Sequence, residues 1–133
     1  MGKILVVDDQ FGVRRLLVET FREDQHEVDM AENGVEALKS LIAFEPDLIL
    51  MDMKMPGMNG LETLENIRAL GRRVNVIMMS GYGENQNMEQ AKDLGILYYM
   101  AKPFDLFELR ERVKEILSSP EIITKRIIRP CLV

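Results

Sequence analysis

Five side chains in this sequence are of types that could do chemistry together: Asp8, Asp9, Asp52, Ser80 and Lys102. Each stands where a short apolar run ends. Ile4-Leu5-Val6-Val7 leads into Asp8-Asp9, Leu48-Ile49-Leu50-Met51 into Asp52, Val76-Ile77-Met78-Met79 into Ser80, and residues 96–101 into Lys102. Runs of this length without polar alternation read as strands covered on both faces, the habit of parallel sheets. Open parallel sheets place ligand chemistry at the carboxyl ends of their strands. Three carboxylates gathered there repel one another, by about 4 kcal/mol for a pair ~4 Å apart at an effective dielectric of 20. Lys102 supplies one compensating charge, and a hard divalent cation held by oxygen atoms supplies the rest. Mg²⁺ is the natural occupant, because it binds through one or two carboxylates and still holds waters and a phosphate oxygen; Mn²⁺ or Ca²⁺ could substitute. A carboxylate beside such a cation, an ammonium and a hydroxyl can act as nucleophile and carry an acyl phosphate. Lys102 and Ser80 would then meet the transferring oxygens. Alone, an aspartate before a turn can equally cap a helix. The set of five carries the inference.

The elements that must position this set follow from the periodicity. Residues 3–7 read as a first strand, and from Phe11 the residues Val13, Leu16, Leu17 and Phe21 recur at helical spacing. Residues 28–31 form a weak second strand. Asn33 is a suitable N-cap for a helix turning Val35, Leu38, Leu41 and Ile42 inward and stopping before Pro46. The strand ending at Asp52 meets a turn with Pro56, Gly57 and Gly60, then a helix carrying Leu61, Leu64 and Ile67 as far as Gly71. Residues 74–79 are the fourth strand, 84–94 a more polar helix closed by Gly95, and 96–101 the fifth strand. Asp105 caps a last helix with Leu106, Leu109, Val113, Ile116 and Leu117. Alternating strand and helix imply right-handed crossovers and helices on both faces. The expected architecture is α/β, a flavodoxin-like (βα)5 doubly wound parallel sheet in strand order 2-1-3-4-5. In that order strands 1, 3, 4 and 5 are neighbours, about 5 Å apart, so the five residues converge.

With the residues assembled, a resemblance emerges over residues 3–118. The motifs Val6-Val7-Asp8-Asp9, Met51-Asp52-Met53-Lys54-Met55-Pro56-Gly57-Met58-Asn59-Gly60, Met79-Ser80-Gly81-Tyr82 and Ala101-Lys102-Pro103-Phe104 are similar to those of receiver domains of two-component response regulators. Within that family, the stretch from Val7 to Arg14 and the one from Asp52 to Met58 resemble the single-domain intermediates of sporulation-type phosphorelays. The resemblance implies that Asp52 is the phosphoacceptor, in a protein that catalyses its own aspartyl phosphorylation. It implies that Asp9, Asp52 and the Lys54 backbone carbonyl ligate Mg²⁺, with Asp8 acting through a water. It also implies that Lys102 pairs with phosphoryl oxygens across a cis Lys102-Pro103 bond, and that Ser80 and Tyr99 form a switch pair. Lys54 and Tyr82 flank the path of an attacking water, so the phosphorylated form is expected to hydrolyse slowly. The implied partners are a sensor histidine kinase and a histidine phosphotransferase. Gln10, Gly12, Val13, Leu16, Tyr82, Pro103 and Phe104 are the expected docking rim, while Phe11 is expected in the core and His26 in a solvated turn.

Composition bounds the rest. A chain of 133 residues, 47% hydrophobic and 29% charged, suits one soluble domain. No apolar run approaches the roughly 20 residues of a membrane helix, and no secretory signal is expected. Cys131 has no partner for an internal disulfide, which favours a cytoplasmic protein. A net charge of −5 argues against direct nucleic-acid binding. Residues 1–119 are read as the receiver domain and 120–133 as a flexible tail. A monomer is expected, with the apolar tail as the possible source of an oligomer. Two other outputs fit the same domain: a chemotaxis-like switch that binds a target when phosphorylated, and the receiver portion of a larger DNA-binding regulator. Asp8-Asp9 would repel a flavin phosphate and is wrongly spaced for a haloacid-dehalogenase-type phosphatase.

Overall fold

The computed structural model describes residues 2–81 and 88–118. Strands β1 (Lys3–Val7), β2 (Glu27–Ala31), β3 (Leu48–Asp52), β4 (Asn75–Ser80) and β5 (Tyr98–Ala101) alternate with helices α1 (Phe11–Glu23), α2 (Gly34–Phe44), α3 (Gly60–Ala69), α4 (Met88–Asp93) and α5 (Leu106–Ser118). All strand pairs are parallel, and the sheet order is β2-β1-β3-β4-β5. This is the flavodoxin-like arrangement expected from the apolar runs.

Those runs lack polar alternation because both faces of the sheet are covered. Leu5, Val7, Ile49, Met51, Val76 and Met78 join the core layer under α2, α3 and α4. Ile4, Val6, Leu48, Leu50, Ile77 and Met79 join the opposite layer under α1 and α5. Register places Asp52 opposite Met79 and Ser80 opposite Ala101, so the strands end almost level.

Local chemistry starts the helices where the sequence predicts. The Asn33 side chain accepts from the Glu36 N–H at 2.8 Å, and Asn59 and Glu62 form a reciprocal capping box at the head of α3. Asp105 accepts from the Glu108 N–H at 3.2 Å. Gly60 lies so close to β3 that a Cβ there would run into the Asp52 carbonyl oxygen and stand 2.8 Å from the Met53 Cα. Both obstacles are backbone and cannot swing aside. Gly60→Ala is therefore expected to destabilise the fold by about 2 kcal/mol, read as a lowered midpoint in urea unfolding.

At the other end of α3, Arg68 donates to four carbonyl oxygens: Leu94 at 2.7 Å, Val74 at 2.9 Å, Arg72 at 3.0 Å and Gly95 at 3.4 Å. Burial, with Arg73 adding repulsion, lowers its pKa from the ordinary value. Among the described residues no carboxylate pairs with it.

Several expectations need correction. Val35 and Ile42 do not face inward; they are 53% and 58% exposed. The buried side of α2 is Gly34, Ala37, Ser40 and Leu41, because this helix packs closely on α3 through small residues. Phe11 is not in the core but 65% exposed, its ring 5.7 Å from the Arg14 guanidinium. His26 is half-buried, not solvated, with Nδ1 accepting from the Gly2 N–H at 3.1 Å. The fourth strand starts one residue late, and the fifth begins at Tyr98. Of the expected helix 84–94, only residues from Met88 on are described, and the tail 120–133 lies outside the described residues.

Candidate functional site

Four strand ends build one pocket. The turn after β1 carries Asp8, which is fully buried, and Asp9, which is exposed. Asp52 closes β3 and is only 5% exposed. Ser80 closes β4, buried, and Lys102 follows β5, half-buried. One carboxylate oxygen each from Asp8, Asp9 and Asp52 lies within 4.8 Å of the others. The Lys102 ammonium bridges two of these groups, donating to Asp8 Oδ2 at 2.8 Å and lying 3.3 Å from Asp52 Oδ1. Its Nζ is 3.5 Å from Gln10 Oε1, and the Gln10 N–H donates to Asp8 Oδ1 at 2.9 Å. The open pocket over this cluster has a volume of about 430 Å³ and is lined by Asp9, Gln10, Asp52, Lys54, Met55, Pro56, Gly81 and Lys102. The Lys102-Pro103 peptide is cis, as the resemblance implies.

Charge in the pocket is unbalanced. Burial first, then the Asp8 charge, push the Asp52 carboxyl up to about 6; Lys102 opposes this and Asp9 adds to it. Burial works against the Lys102 ammonium, yet the hydrogen bond to Asp8 and the charges of Asp52 and Asp8 raise its pKa overall. Among the described residues Lys102 is the one cation in ion-pair contact with these three acids, which leaves a deficit of positive charge at the carboxylates. The donor set is all oxygen, fitting a hard divalent ion and not a soft metal. Both Asp8 oxygens are already engaged by Gln10 and Lys102, which leaves Asp9 and Asp52 as the better placed direct ligands.

The remaining expected residues fall as follows. Ser80 and Tyr99 lie on neighbouring strands and on the same sheet face, since Tyr99 pairs with Met78, two residues before Ser80. Tyr99 is half-buried against the α2–α4 layer. Gln10, Gly12, Leu16 and Pro103 are exposed, Gln10 in the pocket lining, whereas Val13 and Phe104 are half-buried against the α1–α5 core. Tyr82 lies outside the described residues. Sequence reasoning missed two contacts: the seating of Gly60 on Asp52, and a hydrogen bond from Arg14 Nη1 to the Asp8 carbonyl at 2.7 Å. The Pro-Gly-rich turn hinted at the first. Nothing in the sequence marked the second.

Residues 4–114 match the family model described as the response regulator receiver domain. The chain belongs to this family. Among curated relatives of this receiver domain, Sporulation initiation phosphotransferase F of Bacillus subtilis (strain 168) is 44% identical over 115 residues, which is 86% of this chain and 93% of that protein. Transcriptional regulatory protein ResD of the same organism is 40% identical over 86% of this chain, but the match spans 48% of its length. Among solved structures, response regulator protein TrrA from Thermotoga maritima, in complex with Mg(2+)-BeF, is 37% identical with a TM-score of 0.77, covering 87% of this chain and 99% of that one. Among the described residues, no helix is long and apolar enough to cross a membrane.

Proposed function

We propose that this receiver accepts a phosphoryl group on Asp52 from a sensor histidine kinase and passes it to a histidine phosphotransferase, in a sporulation-type phosphorelay. The observation that carries this reading is the bridging of buried Asp8 and Asp52 by the Lys102 ammonium, in a pocket still short of positive charge. An Asp52 oxygen attacks phosphorus, the bond to the kinase imidazole nitrogen breaks, and the imidazole leaves with its electron pair and takes up a proton. Lys102 turns from Asp52 toward the phosphoryl oxygens, and the Ser80 hydroxyl donates to one of them. Asp9, Asp52 and the Lys54 carbonyl would hold Mg²⁺, with Asp8 acting through a water. When bound, the ion neutralises charge on the transferring oxygens. Mn²⁺ or Ca²⁺ fits the same oxygen ligands less specifically.

Ser80 and Tyr99 form the switch pair, and Gln10, Gly12, Val13, Leu16, Tyr82, Pro103 and Phe104 the docking rim. The receiver occupies residues 1–119 of a cytoplasmic, monomeric protein, followed by the tail 120–133. The 44% identity to a protein named a sporulation initiation phosphotransferase supports the relay over a switch that only recruits a target. Radiolabelled phosphoprotein mixed with candidate histidine phosphotransferases tests the choice. Reversible transfer of label to a histidine is the expected result, and label retained on the receiver with every candidate would overturn it.

Lys54 lines the pocket with its side chain exposed at the rim, where an attacking water must pass. The phosphorylated protein is accordingly expected to decay over many minutes, and Lys54→Ser to shorten that lifetime several-fold. A wild-type half-life of seconds would contradict the shielding role.

A further inference from the structure

We infer that Arg14 is a positioning residue that aims the Asp9 carboxylate at the cation, acting through the Asp8–Asp9 peptide; this rests on the reading of the pocket as a cation site. Among the described residues the Asp9 carboxylate makes no hydrogen bond and no ion pair, so the placement of its backbone is what keeps it within reach of the other two acids. That backbone is held at the preceding residue. Asp8 is tied at four atoms: its N–H donates to the Ala31 carbonyl at 3.1 Å, Oδ1 accepts from the Gln10 N–H, Oδ2 accepts from Lys102, and the carbonyl oxygen accepts from Arg14 Nη1 at 2.7 Å. The bonds at the N–H and at Oδ2 fix Asp8 itself, and the one from the Gln10 N–H also holds the peptide on the far side of Asp9. Among the described residues, only the bond from Arg14 grips the peptide between Asp8 and Asp9. Rotation of that unit would swing the Asp9 carboxylate away from Asp52.

The fold gives Arg14 the means to do this. It sits in the first turn of α1, where its own N–H donates to the Gln10 carbonyl at 3.0 Å, and its side chain reaches back across the turn. The Arg14 guanidinium lies over the Phe11 ring, 5.7 Å from its centroid, a cation–π contact that helps hold the guanidinium in place for its bond to Asp8. This assigns a purpose to a large aromatic left 65% exposed. A lysine could reach the carbonyl but would not stack on the ring.

The test is Mg²⁺ affinity without any phosphoryl donor, read from the rise in melting temperature with Mg²⁺ concentration. Arg14→Met is expected to weaken Mg²⁺ binding about ten-fold, the usual penalty for losing a group that orients a metal ligand. Arg14→Lys should recover part of the loss, Phe11→Ala should show a smaller loss, and Arg15→Ala, one residue along and exposed, should match the wild type. A purely structural role would lower the melting temperature in the absence of Mg²⁺ and leave the affinity unchanged. An Arg14→Met protein with wild-type Mg²⁺ affinity, whatever its melting temperature, overturns the inference. If Arg14→Met does not melt cooperatively, Phe11→Ala decides in its place, and wild-type affinity there overturns it. A wild-type protein indifferent to Mg²⁺ would defeat the cation-site reading itself, and the role of Arg14 with it.

Discussion

Incubated with acetyl phosphate and Mg²⁺, the wild-type protein is expected to gain about 80 Da, the mass of one phosphoryl group, and Asp52→Asn to gain none. The amide keeps the shape of the carboxylate and can still accept from Lys102, so the fold is retained while the nucleophile is lost. Neither neighbouring acid can replace it. Asp8 is fully buried with both oxygens hydrogen-bonded, by Gln10 and Lys102. Asp9 is exposed and lacks the contact with Lys102 that neutralises charge on an incoming phosphoryl group. Intact mass spectrometry checks the outcome, and chelating Mg²⁺ should suppress the wild-type gain as well. Equal mass gain in Asp52→Asn would move the acceptor to another residue.

The same substitution should make the metal-free protein more stable at neutral pH. The Asp52 carboxyl titrates near 6 in the fold, against 3.8 ordinarily, mainly because it is buried and then because Asp8 is charged. A folded-state pKa above the unfolded one means that the native state holds its proton more tightly. The contribution of Asp52 to stability is therefore greatest below pH 3.8, falls as pH rises toward about 6, and stays reduced above it. Moving a carboxyl over that interval corresponds to about 3 kcal/mol. Urea denaturation at pH 8 without Mg²⁺ should find Asp52→Asn more stable than wild type by up to roughly this amount, with the difference vanishing near pH 4. Saturating Mg²⁺ should reverse the order by stabilising the wild type preferentially. Equal stabilities at pH 8 would mean that Lys102 alone balances the pocket.

The strand ends were legible because of an unusual simplicity: four apolar runs, three of them fully buried and the fourth, on the edge strand β5, half-buried, each halted by a polar residue. Burial on both faces produces that pattern, and parallel pairing aligns the halting residues, so Asp8, Asp9, Asp52 and Lys102 could be gathered from spacing alone. Helix orientation was less legible. Bulk in α2 pointed to Val35 and Ile42, but close packing put Gly34 against Thr63 of α3 and Ser40 against Asp29 of β2, on the buried side. The arginines were hidden for a different reason. Arg14 and Arg68 direct their guanidinium groups at backbone carbonyls, which every residue possesses, so no complementary acid appears in the sequence to betray them. Phe11 was misplaced on the same account, since its exposed ring is explained by the cation beneath it.

The carbonyl-bound guanidinium of Arg68 divides the molecule's responses to its surroundings. Carbonyl dipoles do not titrate, so the junction of α3 with the end of α4 keeps its grip from acid to neutral solution. The opposite rim of the sheet is governed by carboxylates, and its tension changes with each proton or divalent ion taken up. The segments leading into β4 and β5 are thus moored, while the carboxyl ends of these strands are free to register chemical events. An impulse arriving at Asp52 has a fixed base to push against.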